Sequence, residues 1–189
     1  MGTRSLSSPI QEIPISDDEM LLVGRISLVW AQLDFLVENI LCRLGQFDVD
    51  LLNYYFGNKT IAPKLDAIEF YARRRDHKTK QALDEVVSST RACNAERNLM
   101  AHGKWGWHWD ETVGCWRSGA YDVGKKRWFY THQLNDLHER MVLACSYADV
   151  AFYLIGPERT SPPANKNRPF FVSAVDPTLV RVPRPFFER

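Results

Sequence analysis

The stretch Ser16 to Gly45, SDDEMLLVGRISLVWAQLDFLVENILCRLG, decides the fold class. Ser16 followed by Asp17, Asp18 and Glu19 is a helix start: a hydroxyl can accept from orphan amides, and three acids complement the positive helix terminus. Met20, Val23, Ser27, Trp30, Leu33, Leu36, Val37, Ile40, Leu41 and Leu44 then recur at helical spacing until Gly45, which is expected to stop the run. One long amphipathic helix of this kind needs helical partners, so the pattern predicts a mainly α protein.

Working outward, Leu51 to Phe56 reads as a short apolar turn or helix, broken at Gly57-Asn58. Thr60 to about Arg75 reads as a helix with Pro63 in its first turn and Leu65, Ile68, Glu69 and Ala72 spaced three to four apart. A third long helix is expected from about Lys78 to His102, with Ala82, Leu83, Val86, Val87, Ala92, Cys93, Leu99 and Met100 as its stripe. From Lys104 to Tyr130 the character changes. Alternating Trp105, Trp107 and Trp109, then Trp116, Trp128 and Tyr130, predict a small hairpin or meander. Thr131 is placed to cap a last helix reaching Ile155, closed by Gly156-Pro157.

The expected organisation is a leader over 1–15, a helical domain over 16–156 with a β insert at about 104–130, and an extended Pro-rich arm over 157–189. Seven of the ten prolines lie in that arm, which forbids continuous helix. Its Phe170, Phe171, Val172, Phe186 and Phe187 are too apolar for a plain solvated linker.

The 189 residues carry 24 Lys or Arg and 23 Asp or Glu, a formal charge of +1. The arm holds six of the cations against three acids, leaving eighteen against twenty in the body. A generally basic nucleic-acid binder is therefore excluded, and RNA contact would rest on local patches: Arg73-Arg74-Arg75 with Lys78 and Lys80, or Lys125-Lys126-Arg127. Cys42, Cys93, Cys115 and Cys145 are scattered, without metal-ligand spacing, so reduced thiols, no structural metal, no cofactor and a cytoplasmic location are expected. The apolar run from Ile26 to Leu44 is broken by Gln32, Asp34, Glu38, Asn39 and Arg43, and no secretory pattern opens the sequence, so no membrane span is expected.

The chemistry concentrates in Arg97-Asn98-Leu99-Met100-Ala101-His102-Gly103, at the closing end of the third long helix. A guanidinium can hold a phosphate through paired hydrogen bonds, and an imidazole can move a proton near neutral pH. Arg97 and His102 are five residues apart, roughly 140° of rotation and about 7.5 Å of rise, so they do not share a helix face. Asn98 and His102, four apart, do.

This heptapeptide resembles the Arg-x4-6-His motif of the HEPN family (higher eukaryotes and prokaryotes nucleotide-binding domains), in which a polar residue often follows the arginine. The resemblance extends over about residues 17 to 156. It implies an up-and-down helical bundle and, where the motif is kept, a metal-independent endoribonuclease; members without it serve as binding or structural modules. It implies catalytic roles for Arg97, Asn98 and His102, with RNA as substrate. Family members resemble an isologous homodimer that sets two motif clusters across one cleft. A toxin or phage-defence role, with an antitoxin or regulatory protein as partner, is a biological setting for the same chemistry. The competing class is a non-catalytic helical dimer binding RNA, nucleotide or a partner protein.

Supporting residues are expected nearby. Asp34 stands where an acid can occur in similar sequences and is placed to orient His102 or Arg97, although an acid on a polar face reads equally as a solvated charge. Lys104 and His108 follow the motif and are candidates for phosphate contact, His108 reading also as a strand residue among aromatics. Glu96 is expected to point away. The Trp105, Trp107, Trp109 series would share one strand face, either stacking bases or, more ordinarily, packing a core.

Overall fold

A computed structural model describes residues 15–57 and 59–156. The leader, except for Ile15, and the Pro-rich arm lie outside the described residues. The chain order is α1 (Asp17–Gly45), α2 (Val49–Phe56), α3 (Ile61–Ala72), α4 (His77–His102), β1 (Lys104–Asp110), β2 (Cys115–Asp122), β3 (Arg127–Tyr130), a 3-10 turn (Thr131–Gln133) and α5 (Leu134–Ile155). The protein is mainly helical, with one three-stranded antiparallel sheet in the order β1-β2-β3.

Helix α1 begins as its sequence requires. Ser16 Oγ accepts from the Glu19 N–H at 3.3 Å, and the Ser16 N–H donates to Glu19 Oε2 at 2.7 Å. That reciprocal cap stabilises a helix by about 1 kcal/mol. Its end differs from expectation. Gly45 is still helical, and the left-handed residue is Gln46, with φ 53°. A Cβ on Gly45 would lie 2.2 Å from the Phe47 ring, so glycine here makes room for that ring instead of reversing the chain. Two helices start earlier than the apolar pattern suggests, because acids cap them: Asp48 accepts from the Leu51 N–H, and Asp76 from those of Lys78 and Thr79.

Helix α1 packs on α3 and α5, and α4 packs on the same two, so the four longer helices enclose one core. Ile26, Leu33, Val37, Ile40 and Leu41 of α1 are fully buried there, together with Leu65, Ile68, Leu83, Val86, Leu137 and Met141. Each such side chain contributes about 1.5–3 kcal/mol relative to exposure. Three positions assigned to apolar stripes fall outside the core: Met20 is exposed, Ser27 is exposed and bonds back to the Val23 carbonyl at 2.9 Å, and Ala92 is exposed.

Helix α1 is the one helix among the described residues that is long and apolar enough to cross a bilayer by length and composition, contrary to the expectation that its charges break the run. Within this fold it is a bundle helix, and its Asp34 and Glu38 each lie 2.8 Å from the Lys64 ammonium of α3. Only 22% of its most apolar window is buried, however. Leu21, Leu28 and Phe35, at heptad spacing, are 56%, 74% and 51% exposed, which leaves an apolar seam along the outside of the helix.

The sheet lays one face on the helices. Ala120 and Phe129 are buried, and Trp105 packs against them while its indole N–H donates to the Met100 carbonyl at 3.1 Å. Trp107, Trp109 and Trp116 continue that face beyond the bundle and stay exposed. Alternation and register place Lys104, His108, Arg117, Tyr121, Trp128 and Tyr130 on the opposite, outer face.

Candidate active site

The last two turns of α4 carry Asn94, Asn98 and His102 at successive i, i+4 positions, hence on one face. Asn98 Nδ2 donates to Asn94 Oδ1 at 3.1 Å, and Asn98 Oδ1 accepts from Arg97 Nη1 at 3.1 Å. His102, the final helical residue, is exposed. Gly103 follows in extended backbone, with φ −69° and ψ 159°, and its N–H donates to the Leu99 carbonyl at 2.7 Å. The glycine is needed for close approach: a Cβ would meet the Leu99 carbonyl oxygen at 2.4 Å and Ala120 Cβ at 3.0 Å. This contact lets the chain pass straight from helix into β1, so that Lys104 begins the sheet beside His102.

Arg97 points to another side of α4, toward α1. Its guanidinium carbon stands 5.1 Å from the centre of the Trp30 ring, and its Nε is buried without a hydrogen-bond partner. No carboxylate among the described residues lies within ion-pair distance of it. Burial pulls its proton affinity below the usual arginine range, and the more distant Asp34 charge offsets this only in part. A buried donor left unsatisfied costs about 1–3 kcal/mol, more when charged. An anion would recover that energy.

A cleft of about 650 Å³ opens between the end of α4 and the β2–β3 turn, lined by Thr60, Asn98, His102, Lys104, Tyr121 and Lys125 among others. Lys104 and Lys125 have no acid within ion-pair distance among the described residues, so the cleft is cationic beside the imidazole. Asp122, also on its wall, accepts from the Lys125 backbone N–H at 3.0 Å and holds the turn. A second cavity of about 550 Å³ surrounds Arg43, whose guanidinium lies over the Phe152 ring and donates to the Phe152 and Gly156 carbonyls, capping α5.

The expected site residues thus divide. Asn98, His102 and Lys104 share one cleft. Arg97 reaches it through Asn98, without lining it. Asp34 does not orient His102; Lys64 holds it on the α1–α3 side, where it is also within electrostatic reach of Arg97. His108 sits away from the motif on the outer sheet face, with Nδ1 3.0 Å from the Tyr130 hydroxyl and its ring 4.9 Å from Trp128. Glu96 points away, as expected, and pairs with Arg140 of α5. Of the basic patches, Arg73 to Arg75 are exposed, with Arg74 over the Phe70 ring and Arg75 donating to the Leu44 carbonyl at 3.3 Å, while Arg127 turns inward and lies 3.5 Å from the Ala95 carbonyl.

Sequence reasoning gave no site role to Trp30, Lys64, Asn94 or Tyr121. Asn94 was accessible, since it stands one turn before Asn98. The others are brought in by α1, α3 and β2, and no local spacing announces them. Among the described residues, no group of three or more His, Cys, Asp or Glu is placed to hold a metal ion. No family model, no curated protein and no solved structure matches this chain.

Proposed function

We propose that this protein is a HEPN-type, metal-independent endoribonuclease that acts as a homodimer. The observation that carries the reading is Arg97: a half-buried guanidinium over Trp30, with an orphan Nε and no acid partner, one residue from an amide that leads to an exposed histidine. Arg140 is neutralised in place by Glu96 and Asp136, and Arg127, whose Nε is likewise buried without a partner, lies against the Ala95 carbonyl; Arg97 differs in standing beside the Asn98 amide that leads to His102.

In this reading the scissile phosphate binds between Arg97 and Asn98, and His102 serves as base for the ribose 2′-OH or as acid for the departing 5′-oxygen. Attack of that hydroxyl on phosphorus breaks the P–O5′ bond and leaves a 2′,3′-cyclic phosphate. Lys104 and Lys125 draw the flanking backbone toward the cleft.

The separation of Arg97 from His102 around α4 supports a composite site, in which a second copy supplies the missing group. The contact that builds such a site runs through the α4 end; the exposed Leu21-Leu28-Phe35 seam of α1, with Gly24 and Ala31 beside it, faces away from Trp30 and is a separate apolar surface. A cytoplasmic toxin or defence effector, restrained by an antitoxin or regulatory protein, is the biological role consistent with such an enzyme. The same separation favours a second reading, a helical dimer that binds RNA, nucleotide or a partner protein without cutting.

The test is incubation of labelled single-stranded RNA and matched DNA with the purified protein in EDTA. Cleavage of RNA alone, with cyclic-phosphate ends, supports the enzyme. Intact RNA bound by a folded dimer supports the module.

A further inference from the structure

Five rings form a continuous row across the outer face of the sheet. Tyr121, on the rim of the His102 cleft, lies 5.0 Å from Trp128, and Trp128 lies 4.9 Å from His108 and 6.2 Å from Tyr130, whose plane is within 5° of its own. Tyr130 in turn lies 5.6 Å from His132, the two planes 16° apart. The pleat alone puts Tyr121, Trp128, His108 and Tyr130 on this face, because Tyr121 pairs with Trp128 and Gly119 with Tyr130. The tryptophans that the sequence singled out, Trp105, Trp107 and Trp109, belong to the other face.

Cationic groups accompany the row. Lys104 stands opposite Tyr121 in the β1–β2 register, and the Arg117 guanidinium lies 5.6 Å over the Tyr130 ring while Asp110 holds it at 3.2 Å. The rings of Tyr121, Trp128, His108 and Tyr130 are half-buried, stand at strand spacing and have Lys104 and Arg117 beside them, an arrangement suited to unpaired bases on a charged backbone. A duplex hides the faces of its bases, so it does not fit.

We propose that the outer face of the sheet is a base-stacking platform for single-stranded RNA, continuous with the His102 cleft, with Trp128 and Tyr130 as the principal stacking surfaces. The platform rests on the assignment of that cleft to RNA and specifies the substrate as unpaired. Four-stranded RNA-recognition sheets that display aromatic rings stack about two or three bases, and the row here is long enough for a similar number. Strand bound here is delivered past Tyr121 and Lys104 to Asn98 and His102, so the platform determines which part of an RNA reaches the imidazole.

Binding of a fluorescein-labelled single-stranded RNA to the full chain, read by anisotropy in EDTA, tests this separately from cleavage. His102→Ala protein keeps the RNA intact and serves as the parent against which the ring variants are compared. In that background Trp128→Ala and Tyr130→Ala should each weaken binding by about 5- to 150-fold, with Trp128→Phe and Tyr130→Phe retaining most of it. Gly106→Glu adds a repelling charge without removing a ring; a Cβ there meets nothing closer than the Trp128 ring at 3.8 Å. It should weaken binding comparably, which covers the case of a ring variant that fails to fold.

Equal affinity of the ring variants, or equal affinity for duplex and single strand, would overturn the platform, as would no binding by the parent protein. Ring-dependent binding without any cleavage by wild type would retain the platform and remove the endonuclease. Cleavage with KM unchanged in the ring variants would do the reverse.

Discussion

The Arg97 guanidinium stands 5.1 Å from the centre of the Trp30 ring, with no carboxylate in ion-pair reach among the described residues. The indole supplies attraction through its π face, worth about 0.5–2 kcal/mol, which offsets only part of the cost of burying the cation. A group kept at a net cost to stability marks function. Arg97→Met should therefore leave thermal stability unchanged or raise it by up to about 1 kcal/mol, while removing the stabilisation that inorganic phosphate gives the wild type. A fall in Tm of several degrees would make Arg97 structural.

Lys64 shows the opposite arrangement. It is 2% exposed yet bonded at 2.8 Å to both Asp34 and Glu38. Burial pulls the ammonium's proton affinity down, but the two carboxylates outweigh it and the net displacement is upward. A folded-state pKa above the unfolded one means that the stabilisation is complete below the unfolded value of about 10.4, and is lost as pH rises through the folded value. Lys64→Met should cost about 1–3 kcal/mol at pH 8 in urea denaturation. The gap from wild type should narrow as pH is raised past the lysine range; a gap that widens there would contradict the pairing.

Gly103 is fixed by contact rather than by torsion. Gly103→Ala drives a methyl against the Leu99 carbonyl and Ala120, and is expected to cost about 1–3 kcal/mol and to displace His102 from Lys104. Gly24→Ala on α1, where a Cβ meets nothing within 4 Å, should instead stabilise by up to about 1 kcal/mol. Thermal denaturation of the two variants distinguishes crowding from a general effect of removing glycine.

The α1 seam gives a test of assembly. Leu28 is 74% exposed and faces away from Trp30 and Arg97, so Leu28→Glu should leave stability within about 0.5 kcal/mol and leave a dimer built through the α4 end intact in light scattering. A shift to monomer would place the dimer contact on the α1 seam and contradict a composite site.

The sequence displayed the helices because each declares itself locally: Ser16 and Glu19 close a cap, and the stripe is largely buried from Trp30 to Leu44, although its first part, Met20 and Ser27, is exposed and the buried Ile26 lies outside it. The strands were legible from the alternating tryptophans, but which sheet face meets the bundle was not. Trp105, Trp107 and Trp109 invite an inward reading, and only Trp105 fits under the sheet, since the bundle ends before the other two. The motif was legible as residue types, and the divergence of Arg97 from His102 followed from helix geometry. Trp30 under Arg97, and Lys64 drawing Asp34 away from His102, depend on how α1 and α3 pack, which no spacing within α4 encodes.

The most direct measurement is RNA cleavage in EDTA by wild type, by Arg97→Ala, by His102→Ala, and by an equal mixture of the two variants. Each variant alone should be inactive, while the mixture should recover about a quarter of wild-type activity. Half of its dimers are then mixed, and each mixed dimer holds one intact composite site. Undiminished cleavage by either variant alone, or wild-type protein that leaves every RNA intact, would contradict the assignment.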